Sequence, residues 1–241
     1  MNVNFSTLSL VLVALLTPLL ATGEQHQHLF IMSGQSNMQR LDPNISFRPL
    51  VEEAFGKENV TIVHHAEGGQ PIRRWYKEWE PAKGKTLKGP IGDLYDKLMA
   101  EVQTSSKGKN FTTVTFLWMQ GERDANEKHG EVYLKSLKGL IKQLETDLGR
   151  DDLHTVIGRL SDFDLNNKKY SHWTLVRKAQ IKLAKKDPYI ALVDTDDLND
   201  GLNKEGQKIK NDLHYSEEGY RIFGQRLAEK TIELIKANAT P

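Results

Sequence analysis

The chain of 241 residues contains no cysteine. That excludes disulfides and any lipid-modified cysteine anchor. It also lacks a charge bias: the formal net charge is +1, which gives no reason to expect nucleic acid or an anionic membrane as a partner. No internal repeat, low-complexity tract or second domain is visible. The apolar run Leu8–Ala21 is too short, and too interrupted by Pro18, to be a convincing membrane span. With the small residues Ala21-Thr22-Gly23 behind it, the run reads as a secretory signal peptide over 1–23, although its first residues carry no Lys or Arg. The expected protein is therefore secreted or periplasmic, with no stable membrane insertion after cleavage and a single domain over 24–241. Export without disulfides is more typical of bacteria.

What is present is an alternation of elements. Short, near-continuous apolar runs at Leu29–Met32, Asn59–His64, Thr113–Met119, Thr155–Leu160 and Tyr189–Asp194 read as strands. Helical spacing falls between and after them, at Phe47–Phe55, Asp93–Val102, Glu131–Leu148, Trp173–Lys185 and Ser216–Ala237. Strands that are apolar throughout are covered on both faces. The pattern predicts an α/β fold, a three-layer α/β/α sandwich around a five-stranded parallel sheet. Trp75–Pro90 reads as a long surface loop.

Four stretches carry chemistry. The first strand breaks into Ser33-Gly34-Gln35-Ser36-Asn37, a small-residue turn at the carboxyl rim of the sheet, where open α/β sheets bind ligands. Ser36 is there a candidate nucleophile; taken alone, it is a serine in an ordinary turn. After the second strand comes AEGGQPIRRW (66–75), whose Gly69 N–H is a candidate oxyanion donor. WMQGERD (118–124) ends the third strand and brings the Gln120 amide with the carboxylates of Glu122 and Asp124 to the same rim. NDLHY (211–215) precedes the last helix and supplies His214, whose imidazole near neutrality can take a serine proton and return it to a leaving group. Its second ring nitrogen needs a carboxylate to fix the tautomer. Nucleophile, donors and base at one rim are the constellation of acyl transfer through a covalent acyl-enzyme. His26 and His28 read as a solvated lead-in, not a metal site, and no metal or organic cofactor is expected.

SGQSNM, EGGQPIRRW, WMQGERDA and DLHYSEEGY together resemble the blocks of the SGNH hydrolase superfamily, and more closely its carbohydrate-esterase branch of sialate O-acetylesterases and acetylxylan esterases. The resemblance implies a flavodoxin-like fold and a serine esterase that removes O-acetyl groups from carbohydrate. It implies Ser36 as nucleophile, His214 as base, and Ser36 N–H, Gly69 N–H and the amide of Gln120 or Asn37 as oxyanion donors. The superfamily places an Asp three residues before this His; here that position is Asn211. Asp212, two residues before and on the same side of an extended chain, and Glu122 are the candidate acids, expected to share the imidazole, with Asn211 a weaker candidate.

Gln35, Arg73, Arg74, Trp75, Trp118 and Arg123 are candidate substrate contacts. Arg73, Arg74, Lys77, Lys83, Lys85 and Lys88 gather around the long loop and would suit an acidic glycan, or are simply a solvated basic surface. Trp75, Trp79 and Trp118 either stack on sugar rings or pack in the core. Two other functions remain open at this level: a catalytically silent carbohydrate-binding protein on the same fold, and a broad arylesterase or lipase. Sequons stand at Asn44, Asn59, Asn110 and Asn238 and matter only in a glycosylating host.

Overall fold

The structure, a computed structural model, describes residues 26–87 and 89–239 together with Met1. Past Met1, the expected signal peptide lies outside the described residues, as does Lys88. Strands β1 (His28–Gly34), β2 (Val60–Ala66), β3 (Thr113–Met119), β4 (His154–Gly158) and β5 (Ile190–Val193) form one sheet in the order β2-β1-β3-β4-β5. All four pairings are parallel. The helices are α1 (Ser36–Gln39), α2 (Phe47–Phe55), α3 (Asp93–Ser106), α4 (Glu122–Asn126), α5 (Gly130–Leu148), α6 (Trp173–Ala184) and α7 (Glu217–Asn238).

The chain steps from β1 to β2 in one direction and from β2 back across to β3, β4 and β5 in the other. Right-handed crossovers then put the connecting helices on opposite faces. Accordingly α2 packs on α7, and α5 packs on α6. The expected α/β/α sandwich is the fold observed. β1 and β3 are buried almost throughout, which explains their unbroken apolar runs. β1 has neighbours on both sides that leave it in opposite directions, so the crevice beyond its carboxyl end is the topological switch point of the sheet.

Gly34 closes that crevice. It sits at φ +143, and a Cβ there would lie 2.0 Å from the Met119 carbonyl oxygen. Only glycine lets β1 and β3 run side by side to their ends. The Gln35 N–H then donates to the Met119 carbonyl at 2.9 Å, and the Glu67 N–H to the Gly34 carbonyl at 3.1 Å. The ends of three strands are thus pinned together where the four sequence blocks converge.

Three elements go beyond the sequence reading. α1 and α4 are single short turns at the rim. A hairpin, β6 (Gly201–Leu202) with β7 (Lys208–Ile209), interrupts the segment before His214. Its strands are two residues each and largely exposed, so they carry no alternation to read. Among the described residues no helix is long and apolar enough to cross a membrane.

Candidate active site at the sheet rim

Ser36 opens α1 directly after β1 and is half-buried. As the first residue of a helix it has an N–H with no intrahelical carbonyl partner. His214 is set by the other end of the chain. The Ser216 hydroxyl caps α7 by accepting from the Gly219 N–H at 3.0 Å, and Glu217 and Glu218 follow in the first turn. That cap fixes where the helix begins and leaves His214 two residues outside it. The result is a contact between residues 178 apart in sequence: His214 Nε2 lies 3.1 Å from Ser36 Oγ.

The other imidazole nitrogen, Nδ1, faces Asp212, with Oδ1 at 3.9 Å. Asp212 Oδ1 accepts from the His214 backbone N–H at 2.9 Å, which keeps the carboxylate on the Nδ1 side of the ring. Burial, and then the nearby Arg40 charge, push the His214 pKa below its ordinary value, with Asp212 opposing them. The imidazole is therefore neutral at pH 7, the state a general base requires.

Gly68 and Gly69 lie over the turn. A Cβ on Gly68 would come within 2.9 Å of Gln39 Oε1 and 3.6 Å of Ser36 Cβ. Gly69 has φ +69, open space where a side chain would be, and an N–H with no acceptor among the described residues. Ser36 N–H is likewise without an acceptor among the described residues, so both backbone donors expected from the sequence are uncommitted.

The side-chain donors expected from sequence are corrected by the structure. Gln120 is fully buried. Its Nε2 donates to Asp124 Oδ2 at 2.6 Å and to the Gln70 carbonyl at 3.1 Å, and its Oε1 accepts from Tyr133. The Asn37 amide is equally committed. Nδ2 donates to Glu122 Oε1 at 3.0 Å and to the Leu213 carbonyl at 3.1 Å, and Oδ1 accepts from Tyr220 at 2.9 Å. Neither amide is free for a ligand.

The shared acid is corrected too. Glu122 is buried beneath α1 and holds Asn37; among the described residues no hydrogen bond or ion pair joins it to His214. Burial raises its pKa to about 7 and that of Asp124 to about 6. Asn211, held in the left-handed region at φ +44, turns its amide to the Phe163 carbonyl and to Asn199, away from the imidazole. Of the three candidate acids, only Asp212 faces the ring.

The expected substrate contacts divide. Trp75 and Trp118 are fully buried and meet edge to face, with ring centroids 5.2 Å apart, and Trp79 packs edge-on against His129. All three are core residues, not sugar platforms. Gln35 is buried, its Oε1 accepting from the Arg123 N–H at 3.1 Å. Arg123 itself is exposed, with Nε on Glu127. Arg74 is clamped on Asp93, and Lys77 pairs with Asp96.

Two residues at the site went unread in the sequence. Arg40 follows α1, is exposed, and acts electrostatically on both His214 and Tyr220. Tyr220 supports Asn37 from α7. The signal for Arg40 was its place four residues past Ser36, and for Tyr220 its place in the last block. Among the described residues, no group of three or more His, Asp or Glu is arranged to hold a metal ion.

Comparison with known proteins places this geometry. Residues 39–233 match the family model of "carbohydrate esterase, sialic acid-specific acetylesterase". The match begins just past Ser36, so the GQSN turn rests on its own geometry. No curated protein sequence matches the chain. Among solved structures, a protein from Arabidopsis thaliana is similar at 20% identity, with a TM-score of 0.64 over 86% of this chain and 98% of its own. A carbohydrate acetylesterase from Xanthomonas citri is similar at 17% identity and TM-score 0.63, over 89% of this chain but 57% of its own. A carbohydrate esterase of family 3 from Talaromyces cellulolyticus shares 12% identity and a TM-score of 0.54, over 88% of this chain and 100% of its own. At these identities the structures speak for the fold, and the sequence match over 39–233 speaks for the lineage: the chain belongs to the SGNH-type carbohydrate esterases, in the family of sialic acid-specific acetylesterases.

Proposed function

We propose that this protein is a serine esterase that removes O-acetyl groups from a carbohydrate, of sialic-acid or xylan type, outside the cytoplasm. The observation that carries the proposal is the 3.1 Å contact between Ser36 Oγ and His214 Nε2. Ser36 Oγ attacks the acetyl carbonyl while its proton passes to His214. Ser36 N–H and Gly69 N–H receive the oxyanion. Collapse of the tetrahedral intermediate breaks the bond to the sugar oxygen, which takes the proton from His214 and leaves as a hydroxyl. Water, deprotonated by the same imidazole, then attacks acetyl-Ser36; acetate departs and the serine recovers its proton. Asp212 orients the ring and stabilises the imidazolium.

The location outside the cytoplasm rests on the apolar leader sequence at Leu8–Ala21. The family match favours sialate over xylan as the sugar. The test is acetate release from O-acetylated sialic acid and from acetylated xylan, side by side, for wild type and Ser36→Ala. Release from one substrate that disappears in the variant supports the proposal and selects the sugar. Absence of release from both, with p-nitrophenyl acetate also untouched, would make the protein a silent binding module. Efficient cleavage of long acyl chains would make it a broad esterase or lipase.

A further inference from the structure

For a proposed orienting acid, Asp212 is loosely tied. Its side chain is 45% exposed, and its Oδ1 stands 3.9 Å from His214 Nδ1, beyond hydrogen-bond reach. Among the described residues its carboxylate has one hydrogen bond, from the His214 backbone N–H. An exposed side chain has several rotamers open to it, so where this one points depends on how its backbone is held.

One residue holds that backbone. Asn199, in the loop after β5, is 2% exposed. Its carbonyl accepts from the Asp212 N–H at 3.2 Å, and its Nδ2 donates to the Asp212 carbonyl at 3.2 Å. Both backbone polar groups of Asp212 therefore end on Asn199. The same Nδ2 lies 3.2 Å from Asn211 Oδ1 and 3.3 Å from Asp162 Oδ1, so its two protons are shared among three acceptors. A buried amide is costly unless its donors are used. Here two of the three acceptors belong to the segment leading into His214.

The contact is part of a ladder. Asp200 Oδ1 accepts from the Asn211 N–H at 2.6 Å, and the Leu198 carbonyl accepts from the Ser216 N–H at 2.9 Å. Residues 198–200 thus grip residues 211–216, and the β6–β7 hairpin loops out between them. His214 sits midway between two supports, Asn199 under Asp212 and Leu198 under Ser216. The ladder also turns Asn211 aside: its left-handed backbone, at φ +44, and its Oδ1 on Asn199 take it away from the ring. The carboxylate facing the imidazole is therefore the next residue, whose direction depends on Asn199.

We propose that Asn199 is a positioning residue: by holding both backbone groups of Asp212, it aims that carboxylate at His214 Nδ1. Its bearing on catalysis rests on the esterase reading above; its hold on the Asp212–His214 pair does not.

The test is a double-mutant cycle read on the imidazole itself. The charges acting on His214 are Arg40, from the end of α1, and Asp212, from its own loop. Asn199→Ala removes neither. NMR titration of the His214 ring, its signals assigned by their loss in His214→Gln, gives the pKa in wild type, Asn199→Ala, Asp212→Asn and the double variant. Asp212→Asn breaks a partly exposed pair and should lower that pKa by about half a pH unit. Asn199→Ala should lower it by a substantial part of the same amount, and the double variant should titrate as Asp212→Asn alone. A lowered Tm with an unmoved His214 pKa would make Asn199 merely structural and overturn the proposal. So would a fall of equal size whether or not the Asp212 carboxylate is present. Should Asn199→Ala not fold, Asn199→Ser, which keeps a hydroxyl in the buried space but falls short of the Asp212 carbonyl, is read in the same way. Hydrolysis of p-nitrophenyl acetate by the wild type reports the esterase reading separately. Coupling without hydrolysis keeps the role of Asn199 and removes the esterase, and hydrolysis without coupling removes the role of Asn199 alone.

Discussion

Asn37 Nδ2 donates to the Leu213 carbonyl at 3.1 Å, tying the residue after Ser36 to the residue before His214. The serine turn and the histidine loop come from opposite ends of the chain, and this bond is one of the few that join them directly. Glu122 and Tyr220 hold the same amide from two further elements. Asn37 thus works as a clasp that sets the spacing between Ser36 and His214, the proposed nucleophile and base. Asn37→Ala should lower kcat on p-nitrophenyl acetate by about a hundredfold, within the range of a general base moved out of reach, with KM changed far less. Tyr220→Phe, which removes one of three supports, should lose much less. Steady-state kinetics on both variants check this.

The acid limb of the rate profile should move in opposite directions in two variants. In the proposed mechanism His214 must be neutral to act as base. Arg40 disfavours the imidazolium and Asp212 favours it. Arg40→Ala should therefore raise the His214 pKa and shift the limb of kcat/KM to higher pH. Asp212→Asn should shift it to lower pH and also reduce kcat by about tenfold or more, because the ring loses its orienting carboxylate. Profiles between pH 4 and 8, a range of about four units around the reference imidazole value, read both shifts.

Glu122 makes stability depend on pH. Its folded pKa, about 7, lies above that of an unfolded glutamate, so the protonated form is the one stabilised by folding. That contribution is complete below the unfolded pKa and is lost as pH rises through about 7. Asp124, at about 6, acts in the same direction. Glu122→Gln mimics the protonated state and should flatten the fall in Tm between mildly acidic and mildly alkaline buffer. Since Glu122 serves Asn37 and not the imidazole, this variant should leave the acid limb of kcat/KM where it is. A limb displaced as far as in Asp212→Asn would return Glu122 to the role of orienting acid.

Trp75 and Trp118 are core residues by their burial and their edge-to-face contact. Trp118→Ala should cost about 3–5 kcal/mol of stability, the usual range for emptying a buried aromatic site. Trp118→Phe, which keeps an aromatic ring but loses the larger indole and its Nε1 hydrogen bond to Tyr133, should fold with a lowered Tm and a nearly unchanged KM for an acetylated sugar. Denaturant melts and kinetics separate the two effects.

The sheet was legible because β1 and β3 are buried on both faces, and burial writes unbroken apolar runs into sequence. Thr113–Met119 and Phe47–Phe55 are found with the boundaries their pattern predicts. The pairing of Ser36 with His214 was legible from rim logic: each block lies at a strand end or a helix start, and the parallel topology brings such places together. The supporting amides were not. Nothing in Gln120 or Asn37 as letters says whether an amide faces a ligand or is consumed by Asp124, Glu122 and Tyr220. Tryptophan is equally ambiguous, since the same ring suits a core and a sugar. The hairpin at 201–209 left no trace because its strands are too short and exposed to alternate.

The central claim is that His214 activates Ser36 as a nucleophile. An organophosphonate that reacts with activated serines tests it directly, read as the mass of the peptide carrying Ser36. The account predicts one phosphonyl group on Ser36, formed in step with loss of p-nitrophenyl acetate hydrolysis and abolished by His214→Ala. An unlabelled Ser36 in protein that still hydrolyses the ester, or a label resting on another residue, would contradict it.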